Sequence, residues 1–132
     1  MSEAVASAQP DPSALRAPLA ACLAGLRAAI EHARAAADAW SAGGDPHGPL
    51  DAADGAVRRA RAQTVALRSV LPGHSRRVRL ADRAVERAGE LVAVVRGLPP
   101  ADSTDVEETL LIVVERAFGA AERAVRAADG GA

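Results

Sequence analysis

The chain has 132 residues and a formal net charge of −1, enough for one domain with its own core and too balanced to draw the molecule as a whole toward nucleic acid or anionic lipid. All sixteen basic residues are Arg and none is Lys, which excludes Schiff-base and Lys general-base chemistry. The single cysteine, Cys22, excludes an intrachain disulfide, and a reducing cytoplasm is the simplest expectation.

The Arg-only usage accompanies 34 alanines, a bias expected of a bacterial gene of high GC content. Arg in place of Lys is therefore not read here as selection for bidentate recognition. The N-terminal stretch has neither a positive region nor a long apolar run, so no secretory signal is expected. The densest apolar runs, Leu110–Val114 and Leu91–Val95, fall far short of the ~20 residues of a membrane span, and no membrane contact is expected.

Residues 1–12 are small and polar with two prolines, and read as a disordered tail ahead of a single domain at 13–129. The first helix is expected over 14–42, with Ser13 as a cap and Pro18 near its start. Its apolar row is Leu19, Leu23, Leu26, Ile30, Ala33, Ala37 and Trp40, in alternating steps of four and three. Gly43-Gly44 ends it, and the stretch GGDPHGP reads as non-helical.

The second helix is expected over 49–71 on the row Leu50, Ala53, Val57, Ala60, Thr64, Leu67 and Leu71, stopped by Pro72-Gly73. The third is expected over 76–97 with Ser75 as its cap. It carries the row Val78, Ala81, Val85, Ala88, Val92, Val95 and a flanking row Leu80, Ala84, Leu91, Val94, Leu98. The fourth is expected over 104–128, opened by a Thr104/Glu107 capping box and acids that suit the helix dipole. Its row reads Val106, Leu110, Val113, Ala117, Ala120, Ala124, Ala127, with Leu111, Val114, Phe118, Ala121 and Val125 on the flank.

No strand or hairpin pattern interrupts this series. The expected fold is all-α: an antiparallel up-down-up-down four-helix bundle with Ala-rich heptad seams. Small seam residues bring helix axes close together, which leaves little room for a buried cofactor, and none is expected.

Catalytic constellations are missing from the sequence. There is no Glu-x-x-His pair of the kind that builds a di-iron site, and no metal is expected. His47 and His74 fall in different connections, at opposite ends of the expected bundle. His32 has a basic neighbour in Arg34, as a phosphotransfer histidine does, but Ala follows where a Gly would admit the phosphoryl group. Cys22 has no histidine near it and reads as a buried inert thiol. Asp82, Glu86 and Glu90 alternate with Arg79, Arg83 and Arg87, an ordinary solvated ion-pair face.

The expected topology separates charge. Arg16, Arg68, Arg76, Arg77, Arg79, Arg123 and Arg126 gather at one end, against Asp82, Glu122 and Asp129. Asp38, Asp45, Asp51, Asp54, Glu90, Asp102, Asp105, Glu107 and Glu108 gather at the other, against Arg34 and Arg96. Arg76 and Arg77 stand at a helix start, where the dipole disfavours cations.

Three readings of function follow. The first is a small non-enzymatic bundle working through protein–protein contact, with another protein or with itself as a homodimer. The interface candidates are Leu80, Leu91, Val94, Leu111, Val114 and Phe118. The second is an anion-binding turn built from Arg68, His74, Arg76, Arg77 and Arg79. Nucleic acid is the weaker ligand there, because no aromatic lies near the turn to stack on a base. The third is a ligand-binding or enzymatic bundle whose site assembles only in three dimensions.

Overall fold

The structure, a computed structural model, describes residues 16–70, 76–99 and 107–130. Among them are four helices and no strand: α1 (Arg16–Ser41), α2 (His47–Val70), α3 (Arg76–Arg96) and α4 (Glu107–Gly130). The expectations for the tail, Ser13, Leu71, Pro72-Gly73, His74, Ser75, Thr104, Asp105 and Val106 fall outside the described residues.

Local chemistry sets the C-terminal boundary of α1. Among the described residues α1 runs from Arg16, with Pro18 near that end. At the other end Gly43 takes a left-handed conformation with φ of 76°. The Gly44 amide then reaches back to the Ala39 carbonyl at 2.7 Å, and the Gly43 amide to Trp40 at 3.1 Å. These are the two bonds of a Schellman cap, and they satisfy carbonyls the helix end would otherwise leave open.

The stretch expected to be non-helical between the first two helices is shorter than GGDPHGP. α2 starts at His47, because the Asp45 carboxylate accepts the His47 amide at 2.9 Å and Pro46 follows the cap with a preset φ. An Asp-Pro pair opens a helix as readily as a Gly-Pro cluster breaks one.

Burial in α1–α3 follows apolar rows. In α2, Leu50, Ala53, Val57, Ala60, Thr64 and Leu67 are all buried. Thr64 bonds its hydroxyl to the Arg61 carbonyl at 2.9 Å, so a polar seam position stays satisfied. In α3 both rows contribute, with Ala84 and Leu91 as deeply buried as Val85 and Val92.

α4 differs from expectation. Its core face is Val114, Phe118, Ala121 and Val125, the row read as the flank. The row read as the seam lies at the margin of that face, with Ala117 and Ala124 packed against the core from its edge. Val113 and Ala127 are exposed, and Leu110, Ala117, Ala120 and Ala124 are only half-buried. Phe118 decides the rotation. It is the largest fully buried side chain, and hiding it gains more than hiding alanines.

The helices pack unequally. α1 touches all three others, α3 likewise, and no contact joins α2 to α4 among the described residues. The cross-section is thus a rhombus with α1 and α3 on the short diagonal. Inter-helix pairs give the directions. Against α1, Arg27 pairs with Asp129 and Arg34 with Glu122, so numbers fall on α4 as they rise on α1. Between α2 and α3 the pairs are Asp51 with Arg96 and Arg68 with Asp82, again in opposite senses.

Most of the core is one cluster shared by all four helices. A second, smaller cluster joins only α1, α2 and α3, through Leu19, Leu67, Val78 and Ala81. It marks an end of the bundle where α4 makes no contribution.

Candidate interaction surface

The most exposed large apolar side chains include three consecutive residues near the start of α4. Leu111, Ile112 and Val113 keep 41 %, 54 % and 42 % of their surface. Consecutive helical residues differ by about 100°, so this triplet wraps around the outer side of the helix. Only Val114, the next residue, reaches the core. Leu111 and Ile112 border a shallow hollow over Gly119, closed at its far side by Arg123. Val65 of α2, 50 % exposed, is a separate apolar residue without such neighbours.

The six interface candidates part company in the fold. Leu91, Val114 and Phe118 lie in the core and offer no surface. Leu80 and Val94 are half-buried on α3, and Leu111 is exposed. Ile112, the most exposed of all, belongs to neither heptad row and escaped them for that reason. The signal that could have found it is the unbroken run Leu110–Val114, since five consecutive apolar residues cannot all face one core.

The arginines of the proposed anion site also separate. Arg68 pairs with Asp82 at 3.3 Å and is thereby neutralised. Arg76, Arg77 and Arg79 make no ion pair among the described residues, and His74 lies outside them. At 100° per residue these three arginines spread over about 160° of the helix, so they ring the tip instead of converging on one point.

Among the described residues, the contact between α1 and α4 carries three ion pairs. Arg34 lies over the Phe118 ring, 4.2 Å from its centroid, while its guanidinium reaches Glu122 at 3.1 Å and Glu115 at 3.9 Å. Arg27 holds Asp129 at 2.7 Å. A solvent-open groove of about 560 Å³ runs along these residues, bordered also by Glu31, Asp38 and Arg126. Its charges alternate in sign, so it presents no single-signed field to a ligand.

Cys22 is fully buried, with its Sγ 3.6 Å from the Ala60 carbonyl. Burial first, and then the charge of Asp82, push its thiol above the ordinary range, which keeps it protonated and a poor nucleophile. Trp40 fills the end of the core and donates its indole N–H to the Pro99 carbonyl. That bond ties the end of α1 to the segment leaving α3.

Among the described residues no group of three or more His, Cys, Asp or Glu is placed to hold a metal ion, and no helix is long and apolar enough to cross a membrane. No protein-family model, curated protein or solved structure matches the chain.

Proposed function

We propose that this is a non-enzymatic helical-bundle protein that works through protein–protein contact, with the first turns of α4 as the contact surface. The observation behind this reading is the exposure of Leu111, Ile112 and Val113 together on one helix. Isolated exposed apolar residues are ordinary, whereas contiguous ones mark sites of association. A photo-crosslinking side chain placed at position 112 tests it in cells expressing the protein. A covalent adduct with a protein is expected from position 112 and none from position 58, whose native Arg58 is exposed on α2. Equal labelling at the two positions would remove the reading.

A second reading has one observation in its favour, that Arg76, Arg77 and Arg79 make no ion pair among the described residues. These residues would hold an anion through charge at the tip, with an affinity that falls steeply as salt rises. Binding of inorganic phosphate or a short oligonucleotide at low ionic strength, lost in the triple Arg→Ser variant, is its test.

A further inference from the structure

The outer face of α4 carries an inference that rests on the reading above and names the occupant of the exposed surface. At about 100° per residue, Glu108, Ile112, Gly119 and Arg123 fall within about 60° of one another, and the row they form is turned about 140° from Val114, Phe118, Ala121 and Val125. Ile112 is a knob on this row, 54 % exposed. Gly119 is a hole. With Leu111, Ile112, Glu115, Arg116 and Arg123 it borders a solvent-open hollow of about 460 Å³. A Cβ at Gly119 would first meet the Arg123 guanidinium, at 3.1 Å, so the flexible end of Arg123 leans over the hole.

Charge is laid out along the same face. Glu108 is exposed at its N-terminal end, and Arg116, Arg123 and Arg126 are exposed along the rest of it. None of these four makes an ion pair among the described residues. Glu115 reaches Arg34 at 3.9 Å, and Glu122 is held by the same Arg34 at 3.1 Å. Along the row, the steps from Glu108 to Ile112, to Gly119 and to Arg123 are four, seven and four residues. That spacing is the same in both directions. An antiparallel copy that sets Ile112 over Gly119 therefore also sets Glu108 beside Arg123.

We propose that this face binds a second copy of the chain, the two α4 helices lying antiparallel about a two-fold axis. Each Ile112 enters the other copy's hollow, and each Arg123 swings off Gly119 to meet the other copy's Glu108. One arrangement seats both knobs and pairs both arginines, as a self-complementary two-fold contact requires. The axis passes between Glu115 and Arg116, whose four charges in the pair sum to zero. Parallel pairing would instead set Ile112 against Ile112 and Arg123 against Arg123, and would leave both hollows unfilled. The contact is one helix wide and about 23 Å long from 108 to 123, so the dimer is reversible and each copy folds without it.

The test uses the full chain. Light scattering of the wild type should give a mass that rises with concentration from one copy to two, stops there, and falls back with added salt. Ile112→Asp should remain a monomer with unchanged circular dichroism. Glu108→Arg alone and Arg123→Glu alone should each dimerise about tenfold more weakly than the wild type, because each sets like charges together twice. Mixed in equal amounts, these two variants should regain the wild-type affinity as a heterodimer, in which both contacts again join opposite signs. In a Cys22→Ala background, Ile112→Cys and Gly119→Cys should form a mixed disulfide when oxidised together. Neither should dimerise alone, because like positions stand about 10 Å apart along the helices. A wild type that stays monomeric at every concentration overturns the proposal, as does an equal mixture of the charge variants that binds no tighter than either one. Growth beyond two copies, or an Ile112→Cys homodimer, overturns it too. If position 112 crosslinks to another protein while the wild type stays monomeric, the contact reading survives and the self-pairing alone is lost.

Discussion

α3 and α4 are both rich in apolar residues, and they use them very differently. α3 has three neighbouring helices and buries two rows, including Val78, Ala81, Ala84, Val85, Ala88, Leu91, Val92 and Val95. α4 has two neighbours and buries Val114, Phe118, Ala121 and Val125 among its described residues, leaving Leu111, Ile112 and Val113 outside. With two neighbouring helices and apolar residues on several sides, α4 has more apolar surface than those neighbours cover. A helix at the acute corner of a rhombus keeps part of its face for something else.

The largest test of that difference is Phe118→Ala. Phe118 is α4's main anchor, and its truncation should cost about 3–5 kcal/mol in urea-denaturation midpoints. A loss near zero would mean that α4 is held by its ion pairs, and the comparison would collapse. The next is a matched pair of identical substitutions. Leu91→Ala in α3 should cost about 2–5 kcal/mol, and Leu111→Ala in α4 should change monomer stability by less than about 0.5 kcal/mol, both read from thermal melts at low protein concentration. Similar losses at the two sites would erase the distinction between the helices.

Smaller effects sharpen the polar contacts. Trp40→Phe keeps an aromatic ring and deletes the indole donor to Pro99, for an expected loss of about 0.5–1.5 kcal/mol. Arg34→Gln removes half-exposed ion pairs and a cation–π contact, and should cost less than about 1 kcal/mol, with most of the effect gone in high salt.

The smallest effect is read from pH. The folded Cys22 thiol titrates above its unfolded value, so its contribution is complete below the ordinary thiol pKa. As pH rises past that value, the unfolded chain loses its proton first and stability declines until the folded thiol titrates. The chain has no Lys and no Tyr, so no other side chain has an ordinary pKa in this interval. Cys22→Ala should therefore flatten the alkaline decline in urea-melt stability, and an unchanged slope would show that the thiol is accessible.

What could be read in advance depended on whether one residue dominated locally. In α2 the row from Leu50 to Leu67 has polar residues between its members, and its periodicity identifies the buried face. In α4 the run from Leu110 to Val114 is apolar at every angle, so spacing alone cannot choose between Val113 and Val114. The bulk of Phe118 makes that choice, a term that a binary apolar pattern does not contain. Ile112 is obscured in the same way. The Arg68–Asp82 pair and the register of α4 against α1 depend on how separate helices slide past one another, which no local spacing encodes. The pairs that reveal that register join residues 102 and 88 positions apart.

Trp40 has one more consequence. It is the only tryptophan, and the chain has no tyrosine. Its indole is anchored where α1 ends and the chain leaves α3. Intrinsic fluorescence therefore observes a single clasp at one end of the bundle, while far-ultraviolet circular dichroism averages over all four helices. The protein contains its own local spectroscopic probe, and the two signals followed together separate the release of that clasp from the loss of helix elsewhere.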